Sequence, residues 1–109
     1  MTTKEFVEST GFEVIALPEP DRKISGVYIG DLLSWVMGRA DADDLWITIM
    51  SNSNIVAVAT LSGVGCILLT EGVTLDEEVK ALAVSKGINV CSTKLSSYEA
   101  AIKVSELLK

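Results

Sequence analysis

Residues 45–72 read LWITIMSNSNIVAVATLSGVGCILLTEG, and the fold follows from how this stretch divides. Leu45–Met50 sets bulky and β-branched side chains in a short run that suits a buried strand. Ser51–Asn54 is small and polar, the composition of a strand-to-helix turn. Ile55–Leu61 (IVAVATL) has strand-like propensity, but its length and its place between two strands predict a buried helix. Gly63 and Gly65 bracket the return into Cys66–Leu69, a second apolar strand, and Thr70–Gly72 is a second polar turn. Strand, crossover helix and strand in succession set the two strands parallel.

The same alternation continues on both sides. Downstream, Thr74 opens a helix with Asp76, Glu77 and Glu78 in its first turn, where carboxylates complement the free N–H groups. Val79, Leu82 and Ala83 recur at helical spacing, and Lys86-Gly87 ends the segment. Ile88–Cys91 reads as the last strand. Ser96 or Ser97 caps a final helix whose Ala100, Ala101, Val104, Leu107 and Leu108 face inward. Upstream, Ile24–Ile29 is a strand broken by Gly26, and Gly30-Asp31 is a turn whose carboxylate can cap the helix Leu32–Met37. Arg39–Asp44 is a charged loop. Before these, Thr3–Thr10 forms a short helix that Thr3 can cap and Gly11 can end, and Phe12–Leu17 is a strand. Pro18-Glu19-Pro20-Asp21 is stiff, since each proline fixes φ and removes a donor, and is the junction between the N-terminal part and the rest. The order βαβαβαβα after the first strand predicts an α/β domain, three-layer-like, with a mostly parallel central sheet flanked by helices. Residues 1–109 form that single domain, with 1–23 its N-terminal helix, strand and linker and 24–109 its core.

Length and composition bound the function. A chain of 109 residues with 49% apolar and 22% charged side chains suits one globular core. The net charge of −6 and the absence of any basic residue between Arg39 and Lys80 argue against a nucleic-acid binder, whose affinity rests on clustered cations. Apolar runs are too short to cross a bilayer, and MTTKEFVEST has no secretory pattern, so a cytoplasmic location is expected. Cys66 and Cys91 lie in strand-like segments without Cys-x-x-Cys spacing and with no histidine in the chain, which predicts buried free thiols and no metal site.

In a parallel sheet, ligands meet the carboxyl ends of the strands. The residues expected there are Gly30, Asp31, Ser51, Asn52, Ser53, Asn54, Thr70, Glu71, Gly72, Ser92 and Thr93. Together they offer hydroxyls, amides, backbone donors and two carboxylates for a small polar ligand; the same residues also suit plain helix caps and turns. A phosphate-cradling loop is not indicated: Gly63-Val64-Gly65 precedes a strand, and no Gly-Lys-Ser/Thr occurs. No histidine and no Gly-x-Ser-x-Gly turn is present for nucleophilic catalysis, and Asp31 with Glu71 reads as two solvated turn carboxylates. No catalytic residue and no cofactor is expected. The helix segment carrying Leu32, Leu33, Trp35, Val36 and Met37 is apolar around most of its circumference. Either a second subunit covers it in a homodimer, or it presents a wide core-facing stripe.

These segments resemble a known family. VYIGDLLSWVMG, WITIMSNSNIVAVATL, CILLTEG and INVCSTKLSSYEAA, within Ile24–Leu108, are similar to the DRTGG domain, a regulatory module like the N-terminal domain of HPr kinase/phosphorylase. The family is named for a Gly-Asp-Arg turn after one strand and a Thr-Gly-Gly turn after the next. Ser51-Asn52-Ser53 stands at the first turn here and Thr70-Glu71-Gly72 at the second, so Thr70 and Gly72 match and the Asp-Arg pair has no counterpart. The resemblance implies the fold above, no catalysis, and a cytoplasmic domain that regulates or holds subunits together, commonly as a dimer. Its likeness to stand-alone members encoded near iron-only hydrogenase subunits implies a partner in a hydrogenase or other redox or fermentative system. The alternative is a sensor of a nucleotide or other polar metabolite at the strand-end loops.

Overall fold

A computed structural model describes residues 1–108. Ten elements follow one another: α1 (Thr3–Thr10), β1 (Glu13–Ala16), β2 (Gly26–Ile29), α2 (Leu33–Arg39), β3 (Asp44–Thr48), α3 (Asn54–Ser62), β4 (Cys66–Leu69), α4 (Glu77–Ser85), β5 (Val90–Ser92) and α5 (Ser97–Leu107). The five strands make one sheet in the order β1-β5-β4-β3-β2. β2 to β5 are mutually parallel, and β1 is antiparallel at the far edge beside β5. The expected strand–helix alternation and the mostly parallel sheet are both present.

Successive strands β2, β3, β4 and β5 step across the sheet in one direction. Right-handed crossovers that all step one way must put their helices on one face. So α2, α3 and α4 share a face with a core built on Trp46, Ile67, Leu69, Val90, Ile55, Val56, Val58, Ala59 and Val36. The opposite face is covered by α1 and α5, over Leu45, Ile47, Leu68, Cys66 and Cys91, with Phe6, Phe12, Ala100 and Val104. β3 and β4 are buried along their whole length because helices lie on both sides, which is why neither shows polar alternation. Among the described residues no helix is long and apolar enough to cross a membrane.

Several local expectations change. Thr2, not Thr3, caps α1: its hydroxyl accepts from Glu5 N at 3.1 Å, and the Glu5 carboxylate accepts from Thr2 N at 2.8 Å. Thr3 is fully buried and donates to the Arg22 carbonyl at 2.8 Å. Asp31 does not cap α2; its carboxylate accepts from Thr48 Oγ1 at 2.8 Å and Ile49 N at 3.0 Å, fastening the turn to the end of β3. Asp76 caps α4, accepting from Val79 N at 2.9 Å, so Thr74 stays in the preceding loop. Ser96 makes the expected cap of α5, closed reciprocally by Glu99.

The proline-containing segment is not a loose tether. Lys4 N donates to the Pro20 carbonyl and Thr3 N to that of Arg22. Asn89, almost fully buried, accepts from Glu19 N at 2.9 Å and donates to the Glu19 carbonyl at 2.7 Å and Thr3 Oγ1 at 3.1 Å. One side chain ahead of β5 thereby holds α1 and the β1–β2 connection against the sheet.

Candidate functional site

The strand ends carry the candidate residues, but the sheet divides them. β2 and β5 lie three strand spacings apart, roughly 14 Å. One small ligand cannot touch both ends, so the eleven residues do not converge on one point.

At the β2–β3 end the polar groups are spent internally. Gly30 N donates to the Ile47 carbonyl, and the Gly30 carbonyl accepts from Trp46 Nε1 at 2.9 Å. Asp31 holds Thr48 and Ile49. Ser51, Asn52, Ser53 and Asn54 are exposed and build the entry to α3, with Asn54 N donating to Asn52 Oδ1 at 3.0 Å. Asn52 and Ser53 border an open groove shared with Asp76, Glu78 and Leu82 of the α4 region, which is acidic on one side.

At the β4–β5 end the arrangement differs. The chain leaves β4 towards α4 on one face and leaves β5 towards α5 on the other. Adjacent strands whose connections diverge to opposite faces leave a crevice at their carboxyl ends. The two loops are tied across it: Glu71 N donates to the Leu95 carbonyl at 2.8 Å and Gly72 N to the Thr93 carbonyl at 3.0 Å. Thr70-Glu71-Gly72-Val73 is a type I′ turn, with Val73 N donating to the Thr70 carbonyl and positive φ at both central residues, 61° at Glu71 and 74° at Gly72. Gly72 suits that geometry and Glu71 is strained in it. Thr70 itself is fully buried, its hydroxyl 2.7 Å from Ser97 Oγ, so it fastens the loop to α5 and faces no solvent.

Beside these loops, on the α4 face, lies a cleft of about 480 Å³. Its floor is the β1–β5 pair, where Glu13 stands opposite Ser92 and Ile15 follows. Gly72 and Thr74 form one wall, Thr93 and Lys94 another, and the Gly11-Phe12 turn closes the end. Of the expected residues, Gly72, Ser92 and Thr93 meet here. Gly11, Phe12, Glu13, Ile15, Thr74 and Lys94 are the ones sequence reasoning missed. Lys94 could have been found, since it directly follows the Ser-Thr strand end. Glu13 and Ile15 could not, because nothing local shows that β1 runs antiparallel beside β5.

The apolar helix α2 is likewise split. Val36 is fully buried in its own core and Leu33 is half-buried against it, so these two face inward. Leu32, Trp35 and Met37 are about half exposed, with the Arg39 guanidinium 3.7 Å above the Trp35 ring. Cys66 and Cys91 are buried free thiols whose sulfurs lie 3.7 Å apart. The hydrogen bond to Cys91, with burial added, pushes the Cys66 thiol well above its usual range, so neither the geometry nor the protonation favours a reactive thiolate.

The architecture is therefore a three-layer α/β module with a divergent-loop crevice at one sheet end. The DRTGG domain profile matches residues 7–107, and the chain belongs to the DRTGG domain family. The match takes in β1, which lies upstream of the segments that carry the sequence resemblance. No curated protein matches the sequence. Among solved structures, the CBS and DRTGG domains of the regulatory region of Clostridium perfringens pyrophosphatase, complexed with the activator diadenosine tetraphosphate, share the fold with a TM-score of 0.73 at 18% identity. That alignment covers 94% of this chain and 45% of the other, so the chain spans less than half of its structural relative.

Proposed function

We propose that this chain is a non-catalytic regulatory module that responds to a small polar ligand at the β4–β5 strand end and works in the cytosol as a homodimer. Membership of the DRTGG family over almost the whole chain carries the regulatory reading. The C. perfringens relative, a regulatory region bound to an activator, supports a ligand-responsive role.

The two sheet edges support the dimer. β1 is blunted as solitary edges usually are: it has a bulge between Val14 and Ala16, a charged Glu13, and Pro18 just beyond. β2 is not blunted. Gly26–Ile29 carries no charge, and Val27, Ile29, Leu32, Trp35 and Ile49 are each 40–56% exposed around it. An uncharged strand can meet its own two-fold copy without opposing like charges. Light scattering tests this: a dimer is expected, and Ile29→Lys should yield folded monomer. A wild-type monomer at high concentration would remove the dimer from the proposal. A partner in a hydrogenase or other redox system rests on the resemblance to stand-alone family members, and co-purification with such subunits tests it.

A further inference from the structure

We propose that the β1–β5 cleft is a binding site for a small polyhydroxylated ligand carrying a single phosphate: a sugar monophosphate or a nucleoside monophosphate. This deepens the ligand-responsive part of the function above and rests on it.

The decisive residue is Ser92. It is only 7% exposed and lines the cleft, and its hydroxyl bonds no other described side chain or backbone group and is not among the buried polar atoms left without a partner, so it opens to the cleft. A hydroxyl that opens to a cleft and is not spent on the protein is free to donate to and accept from a ligand. Directly across the strand pair stands Glu13, an exposed acceptor-only group. A donor next to a carboxylate suits ligand hydroxyls, which donate to the carboxylate and accept from the serine. Thr74 and Thr93 add hydroxyls on two further sides, although Thr93 Oγ1 already accepts from Leu95 N at 3.2 Å. Ile15 supplies an apolar floor for a sugar face. A Cβ built at Gly11 or Gly72 would meet nothing within 4 Å, so both glycines leave open room against the cleft walls.

Charge sets the limit on the ligand. Lys94 is the one cation lining the cleft and forms no ion pair among the described residues. Opposing it are Glu13, the neighbouring Glu71 and a chain of net charge −6. One lysine can hold one phosphate here; a chain of phosphates would set its remaining charges against those carboxylates. The volume of about 480 Å³ falls in the range of small-molecule sites.

Titration calorimetry and thermal shift with ribose 5-phosphate, AMP, inorganic phosphate, ATP and diadenosine tetraphosphate test this on the whole chain. Ribose 5-phosphate or AMP should bind, and which of them binds more tightly assigns the source. Lys94→Gln should weaken that binding at least tenfold. Ser92→Ala should weaken it several-fold while leaving the thermal midpoint equal or higher, because an unpaired hydroxyl supports no fold. Binding untouched by either variant would overturn the cleft and leave the ligand-responsive reading standing. Tighter binding of ATP or diadenosine tetraphosphate would overturn the single-phosphate limit. Inorganic phosphate binding as well as AMP would overturn the sugar contacts. No binding by any of the five would overturn the proposal, and a broad metabolite screen would then decide the wider reading separately.

Discussion

Asn89→Ala is the sharpest test of how this fold is held together. Asn89 makes three well-formed bonds, to Glu19 N, the Glu19 carbonyl and Thr3 Oγ1, at 2.7–3.1 Å, and a longer one to the Gly65 carbonyl at 3.4 Å. A typical intramolecular hydrogen bond contributes about 1 kcal/mol, and an orphaned buried partner costs more. Glu19 is exposed and its backbone can turn to water, whereas Thr3 is fully buried but keeps its bond to the Arg22 carbonyl. The expected loss is therefore about 2–3 kcal/mol, a large share of the ~5–15 kcal/mol that holds a typical domain. At about 4–8 °C per kcal/mol for a domain near this size, the thermal midpoint should fall by roughly 10–20 °C. Urea denaturation followed by far-UV circular dichroism should show a lower midpoint at an unchanged slope. Asn89→Asp should be worse at pH 7, because it keeps the acceptor for Glu19 N but turns an oxygen towards the Glu19 carbonyl. A variant Asn89→Ala within about 0.5 kcal/mol of wild type would refute the idea that this side chain fastens the N-terminal part to the sheet.

Other outcomes follow from single features. Glu71→Gly relieves a left-handed backbone that costs about 1–2 kcal/mol, offset by roughly 0.5–1 kcal/mol of added chain entropy. It should stabilise slightly in urea titrations, and clear destabilisation would contradict the strain. Cys66 and Cys91 should resist a thiol-disulfide reagent in the native state and both react once urea unfolds the chain; fast native labelling would contradict their burial. The backbone and hydroxyl of Thr2 hold the Glu5 carboxyl below the ordinary carboxylate range. Its stabilising effect is thus full above the unfolded value and disappears as pH falls through the lower folded one, so Glu5→Gln should flatten the acid limb of the stability curve.

A lone asparagine before a strand carries no local signal of its partners, which lie 70 and 86 positions away. The same holds for the site. Gly72, Ser92 and Thr93 are legible as strand ends because turns follow apolar runs. Their meeting with Glu13 depends on a non-local pairing. Thr70 reads as a free hydroxyl until Ser97 is found beside it. Val36 reads as surface or core with equal ease until its helix is rotated onto the sheet.

The sequence by itself determined the elements, their alternation and the family, because periodicity, caps and turn residues act over a few positions and survive in any context. LWITIMSNSNIVAVATLSGVGCILLTEG reads as a buried strand, helix and strand once its polar turns are placed, although Ile55–Leu61 has strand-like propensity. Tertiary structure alone decided the strand order, the antiparallel edge strand, and which of the strand-end loops share a cleft. Those depend on where segments far apart in the chain come to lie, and on crossovers whose common handedness sends α2, α3 and α4 to one face and leaves α5 for the other. That divergence, falling between β4 and β5, opens the cleft at that end of the sheet.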